Sequence, residues 1–464
     1  MIARALRSPL GWVLFLALAV RLISLGAYPL MDTTEARYGN MARLMVDTGN
    51  WLTPQFDLGV PFWGKPPLHT WMSAGSAATL GMSEFALRLP HWLAGVAVLA
   101  LMALFARRQG LSGLVCAMVL ATCVIFAIAA GAVMTDIALT LGMTLAMVGF
   151  YLGWQGRYRA GYLGFVGLAV GLLAKGPLVI VLVGLAVVPF LIWQHRLSFL
   201  QVLWQRFPLV GGTVAMLVIA APWYLAAEQA TPGFLNYFLV GEHFLRFVES
   251  GWQGDLYGSA HDQPRGTIWV YWLMSALPWS LVLPGLWWRR GRRALTPLQV
   301  FALCWMVSPM ALFTFAGNIL PAYVLPGVPA LALLVASLAE EKDRRWLSAT
   351  GMVLPLLLGV ATLVMHVKVG EERSDKALLA QAPGWDQPLY YLGKRTFSGQ
   401  YYSGGRAELV ADADELALKS GDYFLVLPSG RNWRDLGLEN RHCVQLASAR
   451  KRSLLECRAN VALD

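Results

Sequence analysis

The apolar residues of this chain are gathered into about eleven runs of roughly 17–23 residues, the length a helix needs to cross a hydrocarbon layer. They lie near 9–27, 85–106, 111–128, 131–152, 160–174, 177–193, 207–226, 267–287, 296–316, 320–338 and 346–366. Across the 464 residues, 57% are hydrophobic and only 14% are charged, which excludes an ordinary soluble domain. The expected fold is an α-helical polytopic membrane protein with about 11–13 transmembrane helices. Arg4 and Arg7 precede the first run and no small-residue cleavage site follows it, so it reads as a retained helix and not a removed signal.

The basic residues orient the runs. Arg4 and Arg7, Arg107 and Arg108, Arg157 and Arg159, His195 to Arg206, Arg289 to Arg293, and Lys342 to Arg345 fall on alternate loops. Cytoplasmic loops collect Lys and Arg, so the N-terminus is expected inside. With an odd number of spans, the last segment lies outside. The net charge of +10 then describes topology, and nucleic acid is not an expected partner.

A membrane domain over 1–366 and an outer domain over 367–464 follow, with long outer loops at 28–84 and 228–266. In the first loop, Tyr38, Met41, Ala42 and Met45 repeat at helical spacing with charges opposite. That pattern predicts a helix lying along the membrane surface. Pro66-Pro67 opens a second short helix through Leu80. The tail reads as a small α/β unit, with strands at 421–428 and 454–458 and a helix at 412–419. Cys443 and Cys457 are its two cysteines and can pair if it faces an oxidising compartment. Cys116, Cys123 and Cys304 lie in apolar helices and read as packing residues.

Asp136 is the only acidic residue between Glu84 and Glu228. A carboxylate at membrane depth costs about 2.5–3.5 kcal/mol on insertion scales and marks a site by default. The topology places other polar residues on the same outer face: Asp32, Glu35, Arg37, Tyr38, Lys65, Lys175, Glu242, His243 and Asn318. Paired carboxylates supply a base or hold a divalent ion. Lys and Arg stabilise phosphate oxygens. Blander roles compete with these. Arg37 can pair with Glu35, Lys175 can snorkel to the interface, and His243 can be an interfacial histidine. Lys65 is the hardest to dismiss, because Pro66-Pro67 restrains its backbone. No phosphate-binding glycine loop follows a strand, and no Cys/His cluster has structural-zinc spacing.

Several short motifs occur in order: Asp32-Thr33-Thr34-Glu35-Ala36-Arg37-Tyr38, Gly49 to Pro54, Gly64-Lys65-Pro66-Pro67, Met134-Thr135-Asp136, Lys175-Gly176-Pro177, Glu242 to Phe247, Leu277-Pro278-Trp279 and Leu320 to Pro326. Together they resemble the bacterial aminoarabinose transferases, which are similar to the protein O-mannosyltransferases. Both are multi-spanning glycosyltransferases of the GT-C type. The resemblance implies a polyprenyl-phosphate-linked sugar donor used on the periplasmic side of the inner membrane. It implies lipid A, or another envelope glycan, as acceptor, with membrane lipids around the chain. By motif, the catalytic carboxylates fall on Asp32, Glu35 and Asp136. Substrate-binding roles fall on Arg37, Tyr38, Lys65, Lys175, His243 and Asn318. A divalent metal on Glu35, Glu242 and His243 is one option.

Two positions depart from the family pattern. Thr34 stands where the transferases carry Asp, and Gly64 stands where they carry Glu before the Lys. The reaction class is therefore the firmer expectation, and transfer of another sugar to a different glycan or a protein is the alternative. A transporter for the lipid-linked sugar is the reading from another class. Transporters bind substrate near the midplane, whereas the charges here sit in loops and helix ends, which favours an enzyme.

Overall fold

The computed structural model describes residues 8–249, 252–258, 263–366, 370–436, 438, 441–449 and 451–459. Every apolar run carries helix. Among the described residues, six helices are long and apolar enough to cross a membrane, or seven if the bent pair Thr267–Ser275 and Trp279–Arg290, set at 91°, forms one span. Pro9–Ser24, Ala160–Lys175 and Pro297–Phe313 are shorter apolar helices. The run at 111–128 is not continuous; it breaks at Thr122–Cys123 into Gly113–Ala121 and Val124–Ala129. The bend at 276–278 has a local cause. Pro278 lacks an amide donor, and its ring disfavours helical geometry at Leu277. Helix starts are written in the sequence: Ser83 accepts from the Ala86 amide, and Thr296 with Gln299 forms a reciprocal capping box.

Small residues set the closest helix pair. Asp136–Trp154 and Ala160–Lys175 run antiparallel with glycines in their seam. A Cβ on Gly149 would stand 2.3 Å from the Gly164 amide nitrogen, and one on Gly142 would stand 2.7 Å from that of Gly171. Only bare backbone permits this approach. The pairing brings the first residue of one helix, Asp136, beside the last of the other, Lys175.

The first-loop helix forms as Thr34–Thr48, and it is buried on more than its apolar face. Ala36, Tyr38, Gly39, Asn40, Met41, Ala42, Arg43, Leu44 and Met45 are all buried. Part of its polar face is covered by the C-terminal domain: Asn40 donates to Gln400 at 2.9 Å. Helical spacing revealed one apolar face and could not show that the polar face had its own partner. A short hairpin, β1 (Gln55–Asp57) and β2 (Val60–Pro61), follows. The helix Leu68–Leu80 then packs beneath.

The C-terminal domain is a five-stranded sheet in the order β4-β3-β5-β7-β6. Its strands are β3 (Leu389–Leu392), β4 (Ala407–Val410), β5 (Tyr423–Pro428), β6 (Arg441–Ser448) and β7 (Arg452–Ala459). β3 runs parallel to β4 and β5, and β7 runs antiparallel to β5 and β6. Both β3 and β5 are buried on both faces, which explains their unbroken apolar runs. Tyr423, Leu425 and Leu427 join one core, and Phe424 and Val426 the other. The 421–428 and 454–458 segments are strands and Ala413–Ala417 is helical, as expected; β3, β4 and β6 were not foreseen. Cys443 and Cys457 face each other across β6 and β7 and are bridged.

Candidate active site

Asp136 and Lys175 form a buried ion pair, Nζ to Oδ1 2.6 Å, with both side chains under one-tenth exposed. Each charge alone would carry a large desolvation cost; together they offset it. The Lys175 ammonium also sits 4.5 Å from the centroid of the Tyr323 ring. Gly176 ends this helix at φ +82°, and a Cβ there would meet the Phe238 ring at 2.5 Å, so the chain turns here only as glycine.

A second charge cluster meets the first. Lys65, on the segment between β2 and Leu68–Leu80, donates to Glu242 at 3.0 Å. Arg246 also contacts Glu242 at 3.0 Å and Asp255 at 3.4 Å. Glu242 and His243 lie in a π-helical segment, Tyr237–Leu245, a wound form frequent at functional sites. Burial opposes charge on Glu242, but the Lys65 and Arg246 cations beside it hold its carboxyl below the usual carboxylate range. Burial pushes the His243 imidazole down. Its ring nitrogens lie 2.8 Å from the Phe238 carbonyl and 3.1 Å from that of Lys175.

These clusters line one cavity of about 690 Å³. Its cations are Arg37, Lys65, Lys175, Arg246, Lys394 and Arg395, and its carboxylates are Asp57, Asp136, Glu242 and Asp255. Each carboxylate is paired: Asp57 with Arg395, Asp136 with Lys175, Glu242 with Lys65 and Arg246, and Asp255 with Arg246. Arg37 and Lys394 are the cations left without a carboxylate among the described residues. Arg37 donates to the Tyr257 carbonyl at 2.8 Å and lies over the rings of Tyr38 and Phe62. Its Nε is buried and unpartnered. Phe56, Phe62, Tyr257 and Phe397 form an aromatic wall. A side chamber of about 90 Å³ shares Lys65, Lys175, Glu242, Arg246 and Tyr323 and adds Phe247, Phe313, His243 and Asn318.

The expected site residues therefore divide. Arg37, Tyr38, Lys65, Asp136 and Lys175 line the main cavity, and His243 and Asn318 line the side chamber. Asn318 donates to the Arg246 carbonyl at 2.9 Å, which holds the chain near that cation. Asp32 and Glu35 do not line either space. Asp32 accepts from the Ser398 amide at 3.0 Å and from its hydroxyl. Burial raises its pKa. Glu35 forms a two-pronged pair with Arg88, both contacts 2.8 Å. Burial opposes its charge, but the Arg88 guanidinium holds its carboxyl low. Both acidic residues tie the first loop to its neighbours, Asp32 to Ser398 and Glu35 to Arg88.

Glu35, Glu242 and His243, the residues expected to offer metal ligands, are each engaged elsewhere. The Glu35 and Glu242 carboxylates are taken up by cations, and both His243 nitrogens face carbonyls. No group of three or more His, Cys, Asp or Glu side chains converges on a metal position among the described residues.

Other lining residues were not singled out from sequence. Arg246 and Tyr323 lay inside quoted motifs, and Arg246 follows Glu242 by one helical turn, the one usable signal. Asp57, Asp255 and the segment 393–397 carried none, because strand edges and loops have no periodicity to mark which side chain turns inward.

Residues 7–238 match the family model PMT, dolichyl-phosphate-mannose-protein mannosyltransferase. The chain is 33% identical over 400 residues to the undecaprenyl phosphate-alpha-4-amino-4-deoxy-L-arabinose arabinosyl transferase of Yersinia pestis (strain Pestoides F), covering 82% of this chain and 68% of that one. It is 32% identical over 411 residues to the enzyme of the same name from Serratia proteamaculans (strain 568), covering 84% and 70%. The fold matches the crystal structure of ArnT from Cupriavidus metallidurans bound to undecaprenyl phosphate, with a TM-score of 0.79, 20% identity, and 98% of each chain covered.

Proposed function

The chain belongs to the PMT family of membrane glycosyltransferases, and within it to the aminoarabinose transferases; on that premise we propose that it moves 4-amino-4-deoxy-L-arabinose, or a closely related sugar, from a polyprenyl phosphate to lipid A. The reaction is placed on the periplasmic face of a bacterial inner membrane, with the N-terminus cytoplasmic and the C-terminal domain periplasmic. The alternate-loop pattern of Lys and Arg supports that orientation. Membership of a glycosyltransferase family sets the transporter reading aside.

One observation carries the acceptor class. Every carboxylate in the cavity is tied to a cation, and the charge left over is positive. Each of these carboxylates is already engaged by a Lys or Arg, so none stands free to serve an acceptor hydroxyl. A hydroxyl acceptor would need a base, whereas a phosphate oxygen is already an anionic nucleophile. The phosphate oxygen of the acceptor attacks the anomeric carbon, the bond from that carbon to the donor phosphate breaks, and polyprenyl phosphate leaves. Lys65, Arg37 and Arg246 would stabilise the departing phosphate. Asp136 would stabilise the positive charge developing on the sugar ring, the oxocarbenium character common to glycosyl transfer. Lys175 would hold its carboxylate in place. The aromatic wall offers a surface for a sugar ring.

The test is mass spectrometry of lipid A and other envelope glycans from cells lacking the gene, complemented with wild type or Asp136→Asn. Wild type is expected to restore the mass of one pentosamine on lipid A. Asp136→Asn is expected to lose at least about 100-fold of that transfer at unchanged membrane insertion. Restored modification of a protein or another glycan, with lipid A unaltered, overturns the acceptor.

A further inference from the structure

The cavity is not made by the membrane domain alone. Gly393, Lys394, Arg395, Thr396 and Phe397 of the C-terminal domain form part of its wall. This segment is held at both ends. Gly393 turns out of β3 at φ +77° and donates to the Val410 carbonyl at 2.8 Å. Thr396 caps the next helix by accepting from the Gly399 amide at 2.9 Å. Between them, the Arg395 guanidinium is anchored to Asp57 of the first loop and to the Ala407 carbonyl.

Lys394 is thus presented from a fixed backbone. Its own ammonium makes no hydrogen bond or ion pair among the described residues. Two cations on the cavity lining lack a carboxylate, and they come from different units: Arg37 from the first loop and Lys394 from the C-terminal domain. Transfer between two phosphate-bearing lipids requires two anions in one cavity, and charge balance calls for more than one uncompensated cation.

We propose that Lys394 binds an anionic group of the acceptor, a phosphate, and so makes the C-terminal domain part of the substrate site. The inference rests on the acceptor class proposed above. Lys394 is a binding residue only; the reacting atoms meet Asp136, Lys65 and Arg37. An exposed side chain with no partner supports no neighbour, so its removal leaves the fold intact.

The experiment uses the full chain purified in detergent, with polyprenyl-phosphate donor and bisphosphorylated lipid A as the acceptor probe. A second arm uses lipid A with one phosphate removed. Lys394→Ala and Lys394→Glu are expected to raise the acceptor KM roughly 5- to 10-fold, the range for one partly solvated charge-assisted contact. The donor KM and kcat should stay within about twofold, and Lys394→Arg should recover most of the loss. Loss of one phosphate should remove the difference between wild type and Lys394→Ala if that phosphate is the partner. An unaltered acceptor KM in both variants, with wild type active, overturns this inference alone. A shift in donor KM instead assigns Lys394 to the donor and overturns it as well. No transfer to lipid A by wild type overturns the acceptor class, and this inference with it.

Discussion

Lys65 shows how far a single side chain can be read. Two prolines after it restrain its backbone, and its ammonium reaches Glu242 and its neighbour's carbonyl, that of Gly64, at 2.6 Å. The cation is therefore placed but not consumed, since Glu242 is shared with Arg246. Lys65→Ala is expected to raise the donor KM by roughly tenfold or more; Lys65→Arg should do so less, because charge is kept while fork geometry replaces a point charge. A donor titration with both variants decides it, and equal, unchanged kinetics would remove Lys65 from the phosphate. Glu35 gives a different residue-scale expectation. Its folded-state pKa lies below the ordinary 4.5 because Arg88 outweighs its burial. Near that pH the folded chain binds fewer protons than the unfolded one, so stability rises with pH. The pair's contribution is complete above about 4.5 and is lost as pH falls through the depressed folded value. Thermal unfolding in detergent from pH 6 downward should show Tm falling on that limb. Glu35→Gln should lower Tm above that folded value, where it leaves the buried Arg88 without its carboxylate at a cost of up to about 3–5 kcal/mol, should converge with wild type below it, and should so flatten the limb.

Elements act here by where they end. The Asp136–Lys175 contact exists because two helices pack without side chains between them. Gly149→Val is expected to separate the Asp136–Trp154 and Ala160–Lys175 helices. Its Cβ would stand 2.3 Å from a backbone nitrogen that cannot yield, an overpacking cost of roughly 1–3 kcal/mol. Yield, Tm and transfer should fall together. Gly184→Ala, whose added Cβ would meet nothing within 4 Å, should be neutral or slightly stabilising; equal damage in both would show that the close approach at the seam is not what matters. The same logic explains what the first-loop helix conceals. Its apolar periodicity was legible, but its polar face packs on a domain more than 350 residues later, through Asn40 and Gln400. Local periodicity holds no term for so distant a partner.

At the scale of the whole molecule, the C-terminal domain is tied to the first loop and to the start of Glu84–Arg108. Tyr402 accepts from the Leu30 amide at 2.7 Å and donates to Glu84 at 2.9 Å. Gln400 donates to Asp57 at 2.6 Å. The cavity lies at this seam, so the proposed transfer would occur on the side of the membrane where the domain sits. A membrane-impermeant maleimide applied to intact spheroplasts should label Ser429→Cys, which is exposed on the C-terminal domain, and should not label Gly291→Cys in a basic loop. The reverse pattern would invert the proposed orientation.

Composition and apolar run length determined the class of fold, because hydrocarbon admits only segments that satisfy their own backbone. Spacing within motifs determined much of the site: Asp136, Lys175, Lys65 and Arg37 are charges whose positions at helix ends or beside prolines are local facts. Tertiary structure alone decided which charges meet. Asp32 and Glu35 sit in the same motif as Arg37, yet Ser398 and Arg88 claim them, and of these three charges Arg37 is the one that lines the cavity. It also decided that residues 393–397 complete the wall. An ion pair depends on distances between segments far apart in the chain, and a sequence carries the charges without carrying those distances.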